Sequence, residues 1–319
     1  MNEQALNPPP IHKKLKPSNM WAGFLLLIFL CTTVGSLYLS LSDNVWIWLG
    51  GQLLFTIALL QWFVLLHECG HNTFFSVTSL NVLTGHLASV FAVIPFHPWQ
   101  SIHSLHHKWT GWQDKDPTTD SLVPRELATH ERLIINFCWK FWIPLFSILY
   151  RTSNYWNLPR LNRYLPRAHH KKRNTLNIIL LFALYLGLFV WLGSWLFLKL
   201  FGLGFFLSLV CCDPILFSQH NHIPQKLSKG EDVRPHPPQD QVVFTRSLVF
   251  PGWFSLLVLL HFDAHELHHK YPQVPGYLLH RIDEKMPNEM HWLQWILAAR
   301  RVPAATIMFK NRNDTGLKI

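Results

Sequence analysis

Histidine is the residue type in this chain whose spacing points to chemistry. His67-Glu68-Cys69-Gly70-His71 sets two imidazoles at i and i+4, about 40° apart on a helix that turns ~100° per residue. His103-Ser104-Leu105-His106-His107 and His265-Glu266-Leu267-His268-His269 repeat the pattern H-x-x-H-H, each spreading three rings over a ~100° arc of one helix face. A single pair or triplet is usually a solvated or packed helix face. Three such clusters in one chain imply metal binding. Neutral imidazole suits Fe, Cu, Zn and Ni, while a closed zinc site takes four ligands and often includes Cys. Eight histidines suffice for two metals with coordination positions left over, and open positions on a redox metal mean oxygen chemistry.

The elements that carry these clusters are apolar. The chain has 319 residues, 49% hydrophobic and only 14% charged, against about 25% charge in an ordinary soluble domain. Fifteen Trp and 23 Phe fit the same picture, since aromatics collect at bilayer interfaces and in apolar cores. Residues 21–41, 44–66, 175–198 and 200–218 are apolar runs, each near the ~20 residues that span a bilayer. They predict four transmembrane helices in two hairpins. Shorter or proline-broken runs at 82–99, 133–150 and 247–262 read as interfacial or re-entrant segments.

Charge sets the sidedness. Of 28 basic residues, 3 lie in the tail, 12 in 67–174 and 12 in 219–319, leaving Lys199 alone on the far side. The positive-inside rule then puts both termini and all three clusters in the cytoplasm. The expected fold is an all-α integral membrane protein whose cytoplasmic helical cap carries the histidines. Residues 1–20 read as a flexible cytoplasmic tail, too long and polar a start for a secretory signal, residues 21–275 as the membrane domain and 276–319 as a cytoplasmic C-terminal segment. The cysteines Cys31, Cys69, Cys138, Cys211 and Cys212 form no C-x-x-C pair and are expected to be reduced thiols.

The segments HECGHNTFF (67–75), HSLHHKWTG (103–111) and HFDAHELHH (261–269), with paired spans before the first and third, resemble the membrane fatty acid desaturase superfamily over about residues 20–275. The resemblance implies a centre of two non-haem irons that activates O2 and takes hydrogen from an unactivated acyl chain, leaving a cis double bond. It implies His67, His71, His103, His106, His107, His265, His268 and His269 as ligands. A further ligand in that superfamily follows the fourth span. Here the segment is Gln219-His220-Asn221-His222; His222 is slightly preferred, with His220 kept beside it.

Rings bound to a metal orient through their second nitrogen, which makes Asp116 a candidate partner, followed by Glu68, Asp114, Asp263 and Glu266. For Asp114 and Asp116 the competing role is turn formation beside Pro117. His261, four residues before His265, is either a supporting partner or a packed histidine. His86 and His97 have no ligand spacing, and His169 and His170 read as solvated charge among Arg167, Lys171, Lys172 and Arg173.

No flavin, nicotinamide or fused cytochrome b5 signature is present in the sequence, so an external electron donor, a ferredoxin or cytochrome b5, is expected. The basic run before the third span suits anionic lipid headgroups and, more sharply, docking of an acidic donor. The expected substrates are an acyl lipid, acyl-CoA or acyl-ACP, with the bilayer as surroundings and no nucleic acid. A hydroxylase or ketolase on the same scaffold is the nearest rival, because the third box also resembles carotenoid enzymes. A non-enzymatic membrane metal carrier is more remote, since carrier sites sit between spans.

Overall fold

The computed structural model describes residues 15–317 and 319. The tail expected over 1–20 therefore lies outside the described residues up to position 14.

Two long helices come first, α1 (Asn19–Ser40) and α2 (Val45–His71). Ser18 caps α1 and Asn44 caps α2, its side chain accepting from the N–H groups of Trp46 and Ile47, so each start is satisfied locally. Apolar residues alone would leave the register of the hairpin loose. Polar pairs pin it: Trp62 Nε1 donates to Thr33 Oγ1 at 2.7 Å, and Gln52 Nε2 to Ser40 Oγ at 2.8 Å.

Next come α3 (Thr78–Ala92) and α4 (Phe96–Trp109), bent by 99° about Pro95, then α5 (Thr129–Lys140) and α6 (Leu145–Arg151), whose pair, counted through the π turn Thr152–Trp156, bends by 111°. Neither pair is one straight span. The short α7 (Leu158–Tyr164) leads into α8 (Ala168–His220), 53 residues long.

Helix α8 is broken at Gly193, where φ is 72° and ψ 161°, a backbone region open in practice to glycine alone. The break falls six residues before Lys199, the interruption evident in the sequence. Contacts show the chain doubling back there. Asn177 on the first arm accepts from the N–H of His97 at 3.0 Å, and Tyr185 donates to the carbonyl of Val90 at 2.7 Å. On the second arm Lys199 reaches Asp43, between α1 and α2, at 2.8 Å, while Gln52 accepts from the N–H of Gly204.

Among the described residues three helices, α1, α2 and α8, are long and apolar enough to cross a membrane. Their outward faces match that use: Trp21, Phe24 and Leu27 on α1 and Ile179, Phe182 and Trp191 on α8 are exposed apolar groups.

The remainder forms a cap of short elements: a 3₁₀ turn at Pro238–Phe244, β1 (Leu248–Val249), α9 (Gly252–Leu257), α10 (His265–Lys270), β2 (Met290–His291), α11 (Trp292–Ala299), α12 (Ala304–Phe309) and α13 (Arg312–Thr315). β1 and β2 pair in parallel. Residues beyond 275 are not a separate appendage, because Trp295 is fully buried in a second core with Trp139 of α5 and Phe217 of α8.

Candidate metal centre

The three clusters meet at the cap end of the long helices, and each arrives on a different element. His67 and His71 occupy the last turn and a quarter of α2, which ends at Asn72 in the left-handed conformation with φ of 59°. His103, His106 and His107 lie in the second half of α4, and His265, His268 and His269 make up half of the six-residue α10. Gly70 lets α4 approach α2, since a Cβ there would run into the ring of Trp99. That ring in turn stacks on His103 with centroids 4.3 Å apart.

The imidazoles sort into two groups, each with its ligand atoms within 4.8 Å of one another: His67, His71, His103, His107 and His268 in one, His106, His220, His265 and His269 in the other. Helix geometry explains the sorting. Positions i and i+4 are about 40° apart, whereas i+3 falls on the other side of the first by about 60°. Each H-x-x-H-H triplet is therefore divided: His103 and His107 serve the first group and His106 the second, while His265 and His269 serve the second group and His268 the first. The groups adjoin, with the rings of His107 and His269 stacked at 4.3 Å.

Within each group the ring nitrogens converge. Nε2 of His103 lies 2.9 Å from that of His71 and 3.1 Å from that of His107, which lies 3.0 Å from Nε2 of His268. In the second group Nε2 of His265 lies 2.8 Å from that of His220 and 3.1 Å from that of His269. Nε2 of His67 is buried with no partner among the described residues. A buried polar atom without a partner costs about 1–3 kcal/mol, and that nitrogen, together with the Nε2 atoms crowded on one another in each group, is what a cation would satisfy. Burial first, and neighbouring imidazoles second, hold His103, His107, His265, His268 and His269 well below the usual imidazole range. They are neutral at pH 7, the state that metal binding needs.

The sequence expectation is corrected at one position. His222 is outside both groups: it follows the end of α8 with φ of 58°, and its Nε2 lies 2.7 Å from Thr315 Oγ1. His220, still on the last turn of α8, faces the second group instead.

Of the carboxylates, Asp116 lies against a grouped histidine, with Oδ2 2.7 Å from Nδ1 of His106. Glu68 Oε1 is 3.2 Å from Nδ1 of His67. Asp263 instead accepts from Ser255 Oγ at 2.6 Å, and the same hydroxyl lies 2.8 Å from Nδ1 of His261, so neither reaches the histidine groups. Asp114 binds Ser228, and Glu266 accepts from the N–H groups of Ser247 and Asn288.

Gln241 escapes a reading of the sequence. Its Oε1 lies 2.9 Å from Nδ1 of His269 and its Nε2 donates to the carbonyl of His107 at 2.8 Å, joining two clusters. Nothing in PPQDQVVF marks it, because its place depends on a 3₁₀ turn packed against α10. The five cysteines are free and none joins either group.

A cavity of about 30 Å³ touches both groups, lined by His67, His103, His106, His220 and His265 with Phe63 and Leu216 among its apolar walls. It adjoins a larger one of about 400 Å³ under α5, α6 and α12, and the two share Thr118, Leu122, Phe146 and Tyr150. Across Phe63, Leu216 and Phe262, which also line the smaller cavity, lies a pocket of about 10 Å³ closed by the buried side chains Leu60, Val64, Cys212 and Leu259.

Comparison with known proteins places these features in one family. The family model for fatty acid desaturases matches residues 43–299. Among similar proteins, an omega-3 fatty acid desaturase of the Glycine max chloroplast is 26% identical over 68% of this chain and 49% of its own length. An sn-1 acyl-lipid omega-3 desaturase (ferredoxin) of Synechocystis sp. is 26% identical over 70% of this chain and 62% of its own. An acyl-lipid omega-3 desaturase (cytochrome b5) of the Arabidopsis thaliana endoplasmic reticulum is 24% identical over 68% and 58%. The chain thus spans about half to three fifths of the length of these curated relatives. With the family match running from α2 to α11 and through all three histidine clusters, the chain belongs to the fatty acid desaturase family.

Proposed function

We propose that this protein is a membrane acyl-chain desaturase that uses O2 and two electrons to introduce a cis double bond, with two irons held by His67, His71, His103, His107 and His268 and by His106, His220, His265 and His269. The observation that carries this reading is the convergence of nine imidazoles in two adjoining groups, five of which line one narrow cavity with apolar walls. When bound, the irons supply the activation of oxygen needed to break an unactivated C–H bond. Everything else is the work of the chain.

Asp116 and Gln241 fix the rings of His106 and His269 through their Nδ1 atoms, and such outer partners set ring orientation and ligand basicity. The cavity of about 400 Å³ under α5, α6 and α12 is the place for the acyl chain, which would reach the histidines past Phe146 and Tyr150, the side chains it shares with the smaller cavity. The closed pocket beyond takes the methyl end, which fixes the methylene that lies beside the centre. Phe63, Trp99 and Phe262 pack around the histidines and keep bulk water from them.

In this reading α1, α2 and the two arms of α8 are four spans. The return of α8 at Gly193 supports that count, and the distribution of basic residues supports cytoplasmic termini and histidines. Electrons come from a separate donor, and the two classes expected, ferredoxin and cytochrome b5, are those named for the Synechocystis and Arabidopsis relatives.

Expression in a host of known lipid composition, followed by mapping of new double bonds, is the test. New double bonds with the unaltered chain, and none with His106→Ala or His268→Ala despite normal membrane insertion, are expected. An oxygen atom retained in the organic product would replace desaturation with hydroxylation. Zinc in place of about two irons, with no oxygen consumed, would end the enzymatic reading.

A further inference from the structure

Away from the histidine groups, a polar seam lies where the start of α8 packs on α4. Asn174 and Asn177 are one turn apart on α8 and so share a face. That face is turned to α4, because Asn177 Oδ1 accepts from the N–H of His97. Asn174 is 0% exposed, yet among the described residues neither its Oδ1 nor its Nδ2 has a partner, and Nδ1 of His97 is likewise buried and unpartnered. Buried donors and acceptors left unmatched are unfavourable, so the seam suits a polar occupant.

The sign of that occupant follows from its surroundings. Arg173 reaches across to Ser101 Oγ on α4 at 3.4 Å, and the rings of His86 and His97 stand 4.8 Å apart. Neither α3 nor α4 contains an acidic residue, and α8 has none before Asp213. One guanidinium with no counter-charge on any framing helix favours an anion, to which the neutral imidazoles can donate their N–H groups. The position narrows the choice. Arg173 is exposed and is the last charged residue of α8 before Lys199, which is headgroup depth if that arm enters the bilayer as proposed above.

We propose that His86, His97, Arg173 and Asn174 form a binding site for a single phosphate group, that of an anionic lipid headgroup. Arg173 supplies the bidentate fork that matches phosphate oxygens. The imidazoles and the Asn174 amide add N–H donors. Lys171 and Lys172 are exposed residues of the same turn, and the reach to α4 belongs to Arg173. The site is separate from the metal centre but shares α4 with it, so a lipid held there would brace the helix that carries His103, His106 and His107.

The test uses the full chain in neutral detergent. Native mass spectrometry follows titration with phosphatidylglycerol or zwitterionic phosphatidylcholine, and thermal unfolding is compared in inorganic phosphate and in chloride of equal ionic strength. A saturable one-to-one adduct with phosphatidylglycerol is expected, weakened at least ten-fold in Arg173→Gln/His86→Gln. Stabilisation by inorganic phosphate, lost in the variant, would show that the phosphate suffices; an effect of phosphatidylglycerol alone would show that the lipid is required. Equal lipid binding by the unaltered chain and the variant, or binding by neither, overturns the proposal. If the double variant does not fold, His86→Gln is judged by the same criteria.

Discussion

Asp116 Oδ2 stands 2.7 Å from Nδ1 of His106, and both groups are almost fully buried. The same carboxylate accepts through Oδ1 from the N–H and hydroxyl of Thr118, so the turn after α4 is tied to one ring of the second histidine group. Asp116→Asn keeps the size and an acceptor for Thr118 but removes the charge facing His106. Bound iron or turnover should fall about 10–100-fold, the usual effect of losing a ligand's outer partner. Asp263→Asn, which faces Ser255, should leave iron content near normal, and metal analysis of the two purified variants compares them.

His220→Ala should lower bound iron, whereas His222→Ala should keep it. Normal iron in the first variant, measured per chain, would return the extra ligand position to His222.

Acid should destabilise the metal-free protein. Unfolded imidazoles titrate near 6.5, while burial holds His103, His107, His265, His268 and His269 well below that value. Below pH 6.5 the unfolded chain takes up protons that the folded chain refuses, so stability falls as pH falls, by up to about 1.4 kcal/mol per pH unit per histidine. After treatment with a chelator, Tm at pH 5.5 should lie below Tm at pH 7.5. An unchanged Tm would mean that the rings are not held neutral.

Widening the closed pocket should move the double bond. Val64→Ala or Leu259→Val lets the methyl end run deeper, so the new bond should form farther from that end. Mass-spectrometric location of double bonds in the host lipids reads the shift, and an unmoved position would separate the pocket from the choice of methylene.

The basic surface at α7 and the start of α8 offers a place for an acidic electron donor. Arg163 is bonded to Asp120 at 3.2 Å, and the N–H of Asp120 donates to the carbonyl of Asp116 at 2.9 Å, which links the patch to the centre. Replacing Arg163, Arg167, Lys171 and Lys172 with Gln should slow reduction by the donor and flatten its dependence on salt. Stopped-flow reduction at two ionic strengths measures both.

Much of this site is legible in the sequence because its information is local. Pairs at i and i+4 and triplets H-x-x-H-H state which rings share a helix face, without reference to the rest of the chain. The same is true of the apolar runs behind α1 and α2. What the sequence hides is decided by where elements stop. His220 and His222 differ by two residues, and only the end of α8 determines which one faces inward. Gln241 is positioned by a 3₁₀ turn more than twenty residues from the nearest cluster, and the bend of α8 rests on the backbone of Gly193 rather than on the charge of Lys199.

Because each triplet is divided between the two histidine groups, neither group belongs to a single helix. A tilt of α4 or of α10 disturbs both at once, so the centre should assemble, and fail, as a single unit: a half-built version holding one metal has no helix of its own to stand on.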